Sequence, residues 1–191
     1  MTVPLEQQII RTAHHEAGHI VVAAAQSLKL RPEGLSVDER GEGLACYCKN
    51  PGDSDTEREH VIIATFAGLN SEARLCNERG FPVPEEMQRI FSQDSKEARE
   101  NMSRLSYLSV DRTASQIEAE LQARSEAIIL QYWTAIRSIG AALLDRDWEP
   151  IRALKSGSVW SQAEKAKYLA GDELAVALKQ ARIYAEFAVI C

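Results

Sequence analysis

Several functional classes leave marks in a sequence that this chain does not carry. Only four of its 191 residues are cysteines (Cys46, Cys48, Cys76 and Cys191), and they form no CxxC pair. Reduced thiols and a cytoplasmic setting are therefore the expectation. Lys and Arg nowhere cluster, and the net charge is −6, so nucleic acid is not expected as a partner. The most apolar run, Val61 to Leu69, is nine residues, whereas a membrane-spanning helix needs about 20; no membrane segment is expected. The opening Met-Thr-Val-Pro-Leu-Glu has no basic stretch followed by an apolar block, so no secretory signal is expected. No G-x-x-x-x-G-K-[ST] phosphate loop, internal repeat or low-complexity segment occurs. The hydrophobic content of 45% fits one globular domain with its own core over residues 1–191.

Residues 15 to 19 read His-Glu-Ala-Gly-His. On a helix, positions i and i+4 share one face, so two imidazoles at that spacing can reach a single Zn²⁺. The pattern makes His15 and His19 metal ligands and places Glu16 beside the ion, free to act as general base. Ile9, Ile10, Ala13, Ala17, Ile20, Val21 and Ala24 recur around the motif at near-helical spacing. Gly18 costs helix propensity, about 1 kcal/mol relative to Ala, which implies a close packing contact on its side. His14 points about 100° away from His15 and reads as a flank.

The chain reads as mainly helical, of α+β class: a zincin-like helical bundle with a small sheet of two or three strands. A first helix is expected from Leu5 to Leu28, ended by Arg31-Pro32-Glu33-Gly34. Two strands follow, Leu35–Asp38 and Leu44–Cys48, joined by a Gly-containing turn. Cys46 and Cys48 would share a strand face, which admits a second metal site there. Ser54 and Glu57 have capping-box spacing before a second helix to about Glu78. Gly80, Pro82 and Pro84 break that pattern. A third helical stretch is expected from Glu85 to Leu108 with an interruption near Phe91–Gln93, then a long helix from Thr113 to Leu144. Two last helices are expected over Ser161–Leu169 and Asp172–Ile190. The zinc-site part would cover residues 1–110 and a C-terminal helical part residues 111–191.

Two histidines are too few, because catalytic zinc usually has three protein ligands and an open position. Composition cannot choose the third among 28 carboxylates and His60, which reads as an exposed helix residue. The run Ala13-His14-His15-Glu16-Ala17-Gly18-His19-Ile20-Val21-Val22-Ala23 resembles the zinc helix of the FtsH-type metallopeptidases, which reads HEAGHA followed by apolar residues. Ala67-Gly68-Leu69-Asn70-Ser71-Glu72-Ala73 resembles that family's GGRAAEE element, with Leu69 in place of Arg. Ser92-Gln93-Asp94-Ser95-Lys96-Glu97-Ala98 falls where the family has GAxxDLxxAT, although the Gly-Ala is missing and Ser95 replaces Leu. The resemblance covers about residues 7 to 150. It implies that Asp94, 75 residues after His19, is the third zinc ligand; read locally, the same Asp is a helix-capping residue. Glu72 would accept the outer ring proton of His15 or His19, or else be a surface carboxylate.

These readings lead to a zinc endopeptidase in which Glu16 takes a proton from a metal-activated water and passes it to the leaving amine. If Leu44–Cys48 is an exposed edge strand, an extended peptide can pair along Leu44, Ala45 and Cys46. The resemblance brings in neither the family's transmembrane segment nor its AAA ATPase module. The expectation is therefore ATP-independent action on peptides or unfolded proteins, alone, as a homo-oligomer, or with a separate regulatory partner. Two competing readings are a metal-binding scaffold that binds a partner without turnover and a helical interaction domain whose motif is accidental.

Overall fold

The computed structural model describes residues 3–50, 54–83, 92–106, 113–153 and 160–188. The chain is mainly helical with one small antiparallel sheet, an α+β arrangement. In chain order the elements are α1 (Leu5–Ala25), β1 (Leu30–Asp38), β2 (Gly43–Tyr47), α2 (Asp55–Arg79), α3 (Gln93–Met102), α4 (Ala114–Leu144), β3 (Glu149–Pro150), β4 (Lys165–Leu169) and α5 (Gly171–Gln180).

Helix α1 occupies the centre, packed against α2, α4, β1 and β2. Ala13, Ala17, Ile20, Val21 and Val22 are fully buried, so α1 is covered on more than one side and not laid on a surface. The contact implied by Gly18 is with α2: a Cβ there would lie 2.4 Å from Ser71 Oγ and 2.7 Å from the Ala67 carbonyl oxygen. Ser54 caps α2 by accepting from the Glu57 N–H, and Gly80 closes it in the left-handed conformation, φ 66°. Helix α4 starts with a full capping box between Thr113 and Gln116 and bends at Tyr132.

The sheet order is β2-β1-β4-β3. It has four strands, where two or three were expected, because the stretch Ser161–Leu169 is not a helix. Its residues Lys165–Leu169 form β4 and pair with β1, Leu35 opposite Leu169 and Val37 opposite Lys167. Residues such as Ala and Lys favour a helix locally, but pairing with β1 overrides that preference. The C-terminal part is therefore not purely helical, and it shares one sheet with residues 1–110. Helix α5 also stops early, at Gln180, where Arg182 adopts φ 60°. The chain then runs extended beside Leu30, whose N–H donates to the Glu186 carbonyl and whose carbonyl accepts from the Ala188 N–H.

Strand β1 begins at Leu30, earlier than expected, with a bulge between Leu30 and Leu35. Gly34 belongs to that bulge: its φ is 67°, and a Cβ would fall 2.2 Å from the Leu169 carbonyl oxygen. The proposed start of the third helix at Glu85 lies outside the described residues. One helix is more apolar overall than its longest unbroken apolar run implies. Over 18 residues α4 reaches a mean hydropathy of 1.4, enough by length and composition to cross a bilayer. Its Ile117, Leu121, Ile129, Trp133, Ile136, Ile139 and Leu143 are buried in the core shared with α1 and α2.

The thiols also depart from expectation. Cys46 and Cys76 are free and buried, but Cys48 is disulfide-bonded. That removes Cys48 from any paired metal site with Cys46.

Candidate metal centre

Arg11, His15 and His19 succeed one another at four-residue intervals and line one face of α1. Across from them, α2 supplies Glu72, Gly68 and the Ala64 carbonyl, and α3 supplies Asp94. Ser92, not Asp94, caps α3: its hydroxyl accepts from the Ser95 N–H at 3.1 Å. The Asp94 carboxylate is thereby left free to turn inward. Its Oδ2 lies 2.8 Å from His15 Nε2 and 3.3 Å from His19 Nε2. One donor atom from each of the three residues lies within 4.8 Å of the others.

The outer nitrogens fix which atoms face inward. His15 Nδ1–H donates to Glu72 Oε2 at 3.1 Å, and His19 Nδ1–H donates to the Ala64 carbonyl at 2.7 Å. Each ring thus turns Nε2 toward Asp94, the arrangement in which an outer carboxylate or carbonyl sets the tautomer of a ligand imidazole. Arg11 locks Glu72 in turn, with Nε and Nη2 donating to Oε1 at 2.8 and 2.6 Å. Arg11 was not among the expected site residues, although its i+4 spacing to His15 was available to find it.

The electrostatics follow from these contacts. Burial alone would lower the His15 pKa, but hydrogen bonds to the Asp94 and Glu72 carboxylates outweigh it and hold it well above the ordinary value of 6.5. Burial would raise Asp94, yet the two imidazoles hold its carboxyl well below the usual range. Glu72 is likewise held down, against burial, by His15 and Arg11. Glu16 goes the other way: burial raises it, and the charges of His15 and His19 only partly oppose that rise. It is 7% exposed.

Three donors of two imidazoles and one carboxylate suit a first-row divalent cation, zinc among them. The packing beside them fits the same use. Any Cβ on Gly68 would lie 2.4 Å from His19 Nε2 and 2.5 Å from His15 Nε2. Gly43 plays the same part for Glu16, since a Cβ there would lie 2.4 Å from Glu16 Oε1. Two glycines on different elements thus keep side-chain volume away from the two imidazole nitrogens and from Glu16.

His14 stays apart from this group: it is buried, its Nδ1–H donates to the Ile10 carbonyl at 2.8 Å, and its ring abuts Gly140 of α4. His60 is half-buried, not exposed as expected, and it also lies outside the cluster. Leu44, Ala45 and Cys46 lie on β2, one of the two edge strands of the sheet among the described residues. The Asp38 N–H bonds to the Glu42 carbonyl and the Glu39 N–H to the Lys165 carbonyl. By antiparallel alternation, Leu44 then bonds to β1, while the N–H and C=O of Gly43 and Ala45 point to the open edge. The strand runs past the cluster from Gly43 at Glu16 to Tyr47, whose ring centroid is 6.3 Å from that of His19. Beyond it, Lys49 pairs with Glu97 of α3 at 2.9 Å.

No protein-family model and no characterised protein matches the chain.

Proposed function

We propose that this protein is a zinc-dependent endopeptidase that cleaves extended or unfolded peptides without ATP. The observation that carries the reading is the convergence of His15, His19 and Asp94, drawn from two helices far apart in sequence, with the donor atoms within 4.8 Å and Glu16 beside them.

In this reading His15, His19 and Asp94 hold the cation, and Glu72, backed by Arg11, keeps the His15 ring in its ligating tautomer. The cation, when bound, lowers the pKa of water and polarises a carbonyl. Glu16 accepts the proton of the attacking water and delivers it to the nitrogen of the departing amine. Burial helps here: a carboxylate whose pKa is raised toward working pH is better matched to both halves of that transfer. The open N–H and C=O groups of Gly43 and Ala45 align the peptide backbone as an added strand. Such pairing demands an extended substrate, which is why unfolded chains are the substrate class.

The test is metal analysis of the purified protein together with casein cleavage, with and without chelator. The expected result is one bound metal, cleavage that chelator abolishes, and a Glu16→Gln variant that keeps its metal but loses at least about 100-fold in rate. Metal without cleavage would turn the reading to a silent peptide-binding scaffold. Absence of metal would leave the motif accidental.

A further inference from the structure

The two faces of the sheet have different surroundings. Leu35, Val37, Ala45 and Leu169 pack into the core against the helices. The next row, Leu44–Ser36–Tyr168, is in cross-strand register on the opposite face. There it lines a cavity of about 200 Å³ together with Cys46, Trp160 and Arg152. That volume is below the roughly 300–1,000 Å³ of pockets for whole small molecules and is the size of one large side chain. Both charged groups at its wall, Glu33 and Arg152, are already engaged, and Glu33 pairs with Arg31 at 2.8 Å. The Arg152 guanidinium stacks 4.5 Å over the Tyr168 ring and pairs with Glu149, and the Arg152 N–H donates to the Tyr168 hydroxyl at 2.8 Å. Among the described lining residues, Leu44, Cys46, Trp160 and Tyr168 offer a guest apolar surface.

We propose that this cavity is a specificity pocket for one bulky apolar side chain of the peptide that pairs with β2. The inference rests on the peptidase reading and adds to it the kind of sequence that is chosen. A peptide strand bonded to Gly43 and Ala45 places the residue between those contacts directly opposite Leu44. Side chains of facing residues share a sheet face with Cβ atoms about 4.5–5.5 Å apart, so that residue projects beside Leu44 toward the cavity. Its neighbour opposite Gly43 lies at Glu16, on the other face. The selected side chain is therefore adjacent in sequence to the residue nearest the base. On the side facing Glu16, Gly43 and Ala45 give little for a side chain to grip, so discrimination falls to the far face.

The experiment uses the full chain carrying Glu16→Gln, which separates binding from turnover, and a set of short peptides differing at one position among Gly, Ala, Leu and Phe. Binding is read by Trp fluorescence and by competition with a labelled peptide; cleavage by the unmodified protein is read in parallel. Peptides with Leu or Phe at a single position are expected to bind at least about 10-fold more tightly than those with Ala. In a Ser36→Leu variant, whose added side chain fills the cavity floor, that ratio should fall to near one while affinity for the Ala peptide is kept. Leu44→Ala, at a half-exposed position with less risk to folding, should shift the preference toward larger aromatic side chains. Equal binding of Ala and Phe peptides, no peptide binding, or a preference that neither variant moves would overturn the pocket. Cleavage failing while the preference holds would instead refute the peptidase reading and leave the pocket standing.

Discussion

His14 and His15 are adjacent in sequence, yet the two sides of α1 treat them in opposite ways. On the α4 side, His14 meets Gly140 and its own helix's Ile10 carbonyl. Burial pushes its pKa below 6.5, with the charges of Arg79 and Arg137 adding to the effect. On the side of α2 and α3, His15 meets two carboxylates, and its pKa rises well above 6.5 despite burial. A rotation of about 100° along the helix thus separates a packing histidine from a candidate ligand. Residue type does not distinguish them; what the facing helix supplies does.

The comparison can be broken most severely at the ligands. His15→Ala should abolish stoichiometric metal after dialysis, whereas His14→Ala should retain it and lose only stability; elemental analysis of both variants decides. If His14→Ala sheds the metal as well, the two sides of α1 are not separate. Next come the glycines. Gly68→Ala puts a methyl within 2.4–2.5 Å of both Nε2 atoms; crowding of that kind costs about 1–3 kcal/mol. Here the metal should be lost before the fold, seen as an intact circular dichroism spectrum with reduced metal content. Glu72→Gln keeps the shape but removes the charge that Arg11 and His15 share, and should weaken metal affinity about 10- to 100-fold in a chelator competition.

A smaller effect is expected from pH in the metal-free protein. The folded pKa of His15 lies above its unfolded value of 6.5, so its contribution to stability is full below 6.5 and is lost as pH rises through the folded pKa. Asp94 and Glu72, with depressed values, contribute above the ordinary carboxylate range and lose that contribution as pH falls through their folded values. Urea midpoints of chelated protein should therefore fall between neutral and alkaline pH, while metal affinity rises over the same interval because the cation displaces the His15 proton. A midpoint that climbs with pH would contradict the carboxylate contacts of His15. The smallest change belongs to the α4 side. Gly140→Ala brings a methyl to 3.0 Å from His14, but it gains about 1 kcal/mol of helix propensity. Stability should move by less than about 1 kcal/mol and metal content not at all.

How much of this could be read from the sequence differs by region for physical reasons. The pentapeptide declares its own geometry, because four residues along a helix is a fixed distance, and the packing contact implied by Gly18 is present. Asp94 could not be chosen locally: an acidic residue two positions after Ser92 looks like a cap, and only the resemblance singled it out. In the structure Ser92 takes the capping role and Asp94 turns to the imidazoles. The spacing of Arg11 to His15 is visible in the sequence, but its pairing with Glu72, 61 positions away, is not. The helix expected over Ser161–Leu169 fails because β1 sets the conformation of that segment by pairing, which local propensity does not report. The helix expected to run on to Ile190 ends at Gln180, and Arg182 at φ 60° redirects the chain to Leu30.

The two missing side chains at positions 43 and 68 carry a consequence for tracing descent. One nucleotide substitution at either codon would fill the space beside Glu16 or beside the two Nε2 atoms while leaving His-Glu-Ala-Gly-His untouched. A genome survey keyed to that pentapeptide would not separate such copies from this chain, whereas one that also asks for both glycines would set them aside.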